Sequence, residues 1–187
     1  MSFSIMRSKP EYPEEFFDHF PSEKKPWIFG EQQRLPEAAL EYRLIKDYKE
    51  PLYPIYELPI PLIRNDLLEG LLEAGVDNIQ TFDALIHHPE LGEIQGKYLA
   101  FNILGIIATS SEAAEVMQHY VELEFETDEI SGIQSDFSMI PDELLIARFA
   151  DRMGRIIVSD RLKQHITIGT EDGLVFFDLE EATGAHT

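Results

Sequence analysis

None of the 187 residues is cysteine, which excludes a disulfide framework, a thiolate metal site and a cysteine nucleophile. Positive charge is scarce: 15 Lys and Arg stand against 35 Asp and Glu, a formal net charge of −20. Affinity for DNA, RNA or anionic lipid rests on cations that neutralise phosphates, so none of these is expected as a partner. No apolar run approaches the ~18 residues of a membrane-spanning helix. The opening MSFSIMRSKPEYPEEFF also lacks the apolar core of a signal peptide, so the chain reads as cytoplasmic with no membrane partner. Glycine-rich loops of dinucleotide- or phosphate-binding spacing are missing, as is Gly-x-Ser-x-Gly.

What is present is a globular composition, 44% apolar and 11% aromatic, enough for one domain with a core that needs no staple. The charge is unevenly spread. Residues 1–64 and 148–187 each carry a net −2, whereas residues 65–147 hold only Lys97 against 17 acids, a net −16. Such an excess costs self-repulsion. It marks either a solvated surface or a face that docks onto a basic protein, where complementary potential raises association rate and specificity.

The first ~55 residues are broken by seven prolines between Pro10 and Pro54, interleaved with large aromatics such as Phe16, Phe17, Trp27, Tyr42, Tyr48 and Tyr53. Proline removes an amide donor and restricts its predecessor, so this segment is expected to be an irregular arm, its aromatics packed on the body. Helix and strand are both open for residues 36–45. The expected domains are an arm, 1–55, and a main unit, 56–187.

Beyond residue 60 the patterning is regular. A short strand at Pro61–Ile63 leads to a helix over 66–74, with Asn65 as N-cap, Leu67, Leu68, Leu71 and Leu72 as its apolar stripe and Gly75 as its stop. Strands are expected at 79–86 and 98–107, then a helix opened by a Thr109–Glu112 capping box with Val116, Met117 and Tyr120 facing inward. Val121 to Glu126 alternates apolar and acidic residues as a half-buried strand does, and 127–138 is loop-like. Strands at 144–150 and 155–158 surround a turn, with a helix still open for the first. Ser159 caps a helix over 160–168, and 174–179 is a final strand. Sliding the chain by 95 residues lays Leu62–Ala84 over Ile157–Leu179, with Leu67/Leu162, Asp77/Asp172, Phe82/Phe177 and Asp83/Asp178 identical. The expected fold is α+β: a mixed sheet with a duplicated β-α-β-like unit, about 61–84 and 156–179.

Chemistry-bearing constellations are few. Neighbouring residues on a strand point to opposite faces, so His87 and His88 do not readily share a metal ion. Nothing singles out a carboxylate pair among the 35 acids. No catalytic residue, cofactor or metal is therefore expected. If 121–126 is a strand, Glu122, Glu124 and Glu126 line one face roughly 7 Å apart. With Asp128, Glu129 and Asp136 beyond them, they form an acidic ridge suited to the Lys and Arg of a partner. An edge strand charged against aggregation is the plainer alternative.

Four stretches together resemble a bacterial immunity-protein family, formerly a domain of unknown function, of polymorphic toxin and contact-dependent or type VI secretion systems. They are Trp27-Ile-Phe-Gly30, Pro61-Leu-Ile-Arg-Asn-Asp-Leu-Leu-Glu-Gly-Leu-Leu-Glu-Ala-Gly75, Tyr98-Leu-Ala-Phe-Asn-Ile-Leu-Gly105, and Leu144-Leu-Ile-Ala-Arg148 followed by Ile157-Val-Ser-Asp-Arg-Leu162. The resemblance covers about 27–180, but residues 112–143 have little counterpart in it, so the acidic ridge rests on charge alone. It implies a non-enzymatic antidote that binds and neutralises a cognate toxin domain, which the charge of this chain suggests is basic. It also implies that Asn102, Gly105, Arg148 and Ser159 hold the fold: Gly105 by letting another element approach, Arg148 by internal pairing, Ser159 as a helix cap. The rival readings are a carboxylate-based hydrolase and a self-associating binding module, the latter compatible with a homodimer.

Overall fold

A computed structural model describes residues 3–9, 12–21, 27, 30–34, 36–108, 110–125, 133–134, 144–150, 155–166 and 173–179. In chain order the strands are β1 (Phe3–Ser8), β2 (Phe17–His19), β3 (Leu40–Leu44), β4 (Ile55–Tyr56), β5 (Leu62–Arg64), β6 (Ile79–His88), β7 (Gly92–Ile103), β8 (Ile106–Ile107), β9 (Ile133–Gln134), β10 (Ile146–Phe149), β11 (Arg155–Ser159) and β12 (Leu174–Asp178). The helices are α1 (Asn65–Glu73), α2 (Ser111–Phe125) and α3 (Asp160–His165), and a 3-10 turn spans Pro13–Phe16. The fold is α+β with mixed sheets. One sheet runs β12-β1-β11-β10-β8-β9, the other β2-β3-β6-β7-β5-β4.

Both expected β-α-β units are present, as β5-α1-β6 and β11-α3-β12. In each, the two strands are parallel and one antiparallel strand separates them: β7 in the first unit, β1 in the second. The helices pack on their own sheets and touch each other. Around them lies a shared core in which Leu67, Leu68 and Leu71 of α1 and Leu162 of α3 meet Met6, Ile63, Phe101, Ile146 and Val158 from the two sheets. A second cluster covers the outer face of the β2–β7 sheet and takes up the aromatics of the N-terminal segment, Trp27, Tyr42, Tyr48, Tyr53 and Tyr56 among them. A third lies on the far face of the other sheet, around Phe3, Ile5, Phe149 and Ile157.

Several expectations are corrected. The N-terminal segment packs its aromatics on the body but is not irregular throughout. It supplies β1, which has neighbours on both sides, and β3, which lies between β2 and β6. Both fall in proline-free windows, before Pro10 and between Pro36 and Pro51, where the ladder keeps every amide donor. The expected strand 98–107 is broken at Leu104–Gly105, where the chain passes from one sheet to the other. Residues 121–125 are not a strand but the last turns of α2. Their apolar–acidic alternation spans only six residues. The helix-forming run before it, opened by Ser110 with its Oγ accepting from Ala113 N at 3.1 Å, carries through it. Thr109, the expected cap, lies outside the described residues. Val116, expected to face inward on α2, is 66% exposed.

Candidate functional site

The acid-rich segment 65–147 enters the fold through α1. The helix starts after Arg64, and Asn65 does not cap it: its Nδ2 donates to the Gly96 carbonyl on β7, tying the helix start to the sheet. The helix ends where Gly75, at φ +97°, turns left-handed; its amide donates to Leu72 O at 3.0 Å and Val76 N donates to Leu71 O at 3.1 Å. That pair of bonds is a Schellman stop, open to glycine because it has no Cβ. With both ends fixed, Leu67, Leu68 and Leu71 face the core and Leu72, expected on the same stripe, is 51% exposed.

The opposite face is acidic. Asp66, Glu69 and Glu73 stand at i, i+3 and i+7, one above another at helical spacing, and all three are exposed. Asp77 follows just past the helix, and Asp83, Glu90 and Glu93 are exposed on the β6–β7 hairpin, as are Glu112 and Glu115 at the start of α2. Among these described acids only Asp66 has an ion pair, with Arg64 Nε 2.7 Å from its Oδ1. Partial burial pushes the Asp66 carboxyl up, but the hydrogen bond and charge of Arg64 and the Leu67 amide outweigh it, leaving the group below the usual carboxylate range.

The acids singled out from the sequence are placed differently. Glu122 and Glu124 lie on the helical backbone of α2, where positions two apart are ~200° around the axis instead of on one strand face. Glu126, Asp128, Glu129 and Asp136 lie outside the described residues. The ridge expected from strand geometry is thus not formed by 122 and 124. The α1 row was readable from the same helix prediction that named its apolar stripe, since its acids fall on the complementary face.

The residues given a supporting role sit where the crossing between sheets needs them. Asn102 is buried, and its Nδ2 donates to Glu31 O and, at 3.3 Å, to Gln80 Oε1, holding residues 31–33 on the sheet. Gly105 N donates to Gly30 O at 3.0 Å while Gly105 O accepts from Arg148 N at 3.0 Å, so this residue is gripped from both sides. Close approach does occur at Gly105, but the glycine it requires is Gly30: a Cβ there would stand 2.8 Å from Gly105 O. Arg148 is buried in the core, its guanidinium 5.8 Å from the Phe101 ring centre. Burial lowers its pKa to about 10, against the opposing charge of Glu57. Glu57 also pairs with Arg155 at 3.1 Å. Ser159 caps α3, its Oγ accepting from Leu162 N at 3.2 Å.

The two adjacent histidines go separate ways. His87 Nε2 is 3.6 Å from Glu41 Oε2, while His88 Nδ1 accepts the amides of Glu90 and Leu91 in the hairpin turn. Among the described residues no cluster of His, Asp or Glu could hold a metal ion, and no helix is long and apolar enough to cross a membrane. No protein-family model matches the chain, and no curated protein matches it.

Proposed function

We propose that this chain is an immunity protein: a cytoplasmic binding protein that docks on a basic toxin domain and occludes it, without chemistry of its own. One observation carries the proposal. The acids of α1, the β6–β7 hairpin and the start of α2, from Asp66 to Glu115, are all solvent-exposed and, Asp66 apart, have no ion pair among the described residues, while the 65–147 segment holds a single lysine. A surface kept at one sign costs self-repulsion, and complementarity to a cationic partner is a use that repays it. The order of the motifs around Trp27, Pro61, Tyr98 and Leu144 supports the immunity-family reading of that partner.

The α1 row of Asp66, Glu69 and Glu73 and the α2 acids Glu122 and Glu124, with Glu126, Asp128, Glu129 and Asp136 beyond them, are the proposed contacts. The test uses the products of the neighbouring genes, from which this chain is expected to capture a basic toxin domain. Glu69→Lys/Glu73→Lys and Glu122→Lys/Glu124→Lys/Glu126→Lys are each expected to slow association by about tenfold or more at low salt, a gap that closes as salt is added. Protection of cells expressing the effector should weaken in parallel. If both variants fold and both protect and associate as the parent does, the acidic-face proposal is wrong.

A further inference from the structure

We infer that the chain is a tandem pair of one unit of about 95 residues, and that its two copies have exchanged their first strands. The sequence offset of 95 links only the β-α-β segments. The pairing registers extend it to strands with no evident sequence likeness. β5 pairs with β7 as Leu62↔Ala100 and Ile63↔Leu99; β11 pairs with β1 as Ile157↔Ile5 and Val158↔Ser4. Each member of the second set stands 95 positions from its counterpart in the first. The closing strands repeat this without a slip: Ile79↔Ile103 matches Leu174↔Ser8, and Asp83↔Leu99 matches Asp178↔Ser4, with every pair between them in step. The first bond beyond the ladder repeats as well, Leu104 N donating to Asn78 O at 2.8 Å and Lys9 N to Gly173 O at 2.6 Å. The strand preceding each unit keeps the same partner, Ile55↔Ile63 and Ile146↔Val158, with four more residues in the second connection.

A one-residue slip in any ladder would turn its side chains to the wrong face, so this agreement fixes which strand is equivalent to which. β1 heads the first copy and β7 heads the second. Yet β7 lies between β5 and β6 of the first copy, and β1 lies between β11 and β12 of the second. Each copy therefore presents a slot between two parallel strands that takes one antiparallel segment led by a buried aromatic, Tyr98 in one and Phe3 in the other. Without that segment both walls of the slot would carry unpaired backbone donors and acceptors, so neither copy closes alone. The occupant of each slot is the first strand of the other copy.

The cysteine-free chain makes the exchange testable in its full length. Directly opposed residues of antiparallel strands are about 4.5–5.5 Å apart, within disulfide reach. Ser4→Cys with Asp178→Cys is expected to bridge within one chain on mild oxidation, and Ser4→Cys with Asp83→Cys to stay reduced, since Asp83 is where an unexchanged β1 would run. In a second experiment, a site-specific protease sequence is inserted at the Pro89–Leu91 turn and cut after folding. The cut protein should keep the mass of an intact chain by light scattering and unfold in one transition. A bridge in the second pair, no bridge in the first, or separation into two folded halves without denaturant would each overturn the exchange.

Discussion

At position 30 the backbone runs at φ +69°, and an added methyl would press on the Gly105 carbonyl oxygen and carbon, 2.8 and 2.9 Å away. Neither is the movable end of a side chain. Gly30→Ala is therefore expected to cost at least about 2 kcal/mol, strain and clash together, read as a lower denaturant midpoint. Gly70 is the contrast: it lies within α1 with nothing within 4 Å of an added Cβ. Gly70→Ala should raise stability by about 1 kcal/mol, because alanine is the better helix former and loses nothing in packing. Trp27 sits close by, buried with its ring centre 4.7 Å from that of Phe82 and its amide donating to Pro59 O at 3.1 Å. Trp27 and Gly30 thus act as a clasp on the sheet.

Among the elements, α3 has only six residues, too short to persist without its cap and its sheet. Ser159→Ala removes the hydroxyl that accepts from Leu162 N and should lower stability by about 1 kcal/mol. A restored midpoint in Ser159→Asn, which can also accept there, would separate the cap from general packing. This cap was legible in the sequence because Ser followed by a periodic apolar pattern is a local signal. So were β5, α1, β6, β11 and β12, each set by a period and a stop within ten or so residues. β1 and β3 were not legible, since proline counts over 1–55 average across the windows that matter. The end of α2 is not legible locally, because a six-residue alternation imitates a strand and only the preceding turns show that the helix continues. The acids of α1 are legible too, on the face opposite its apolar stripe. The pairing of β1 with β11 and β12, from the other half of the chain, has no local signal at all.

The whole molecule carries a pH response set by its tyrosines. Tyr42, Tyr48, Tyr56 and Tyr98 are buried together on the outer face of the β2–β7 sheet. Tyr48 and Tyr56 share a hydrogen bond at 3.0 Å, and Tyr98 donates to Tyr53 O at 2.7 Å. Burial is the main cause that raises all four above the ordinary value of 10.0. Their protons leave the unfolded chain first, so their contribution to stability is intact below about pH 10 and falls as pH rises past it. Tyrosinate absorbance from these rings is expected to appear together with the loss of circular dichroism, not before it. Ionisation of most tyrosines in a chain that is still folded would contradict their burial.

The place of β1 has a consequence for synthesis. Its partners in β11 and β12 lie 150 or more residues downstream, so the first strand to be made is among the last to be paired. At about 5–20 residues per second on the ribosome, Phe3, Ile5 and Met6 would wait roughly ten to thirty seconds before a ladder exists to receive them. β7, by contrast, finds β6 as soon as the hairpin turn is made. The two equivalent strands therefore differ in their histories: one folds with its neighbour, and the other waits for the end of the chain.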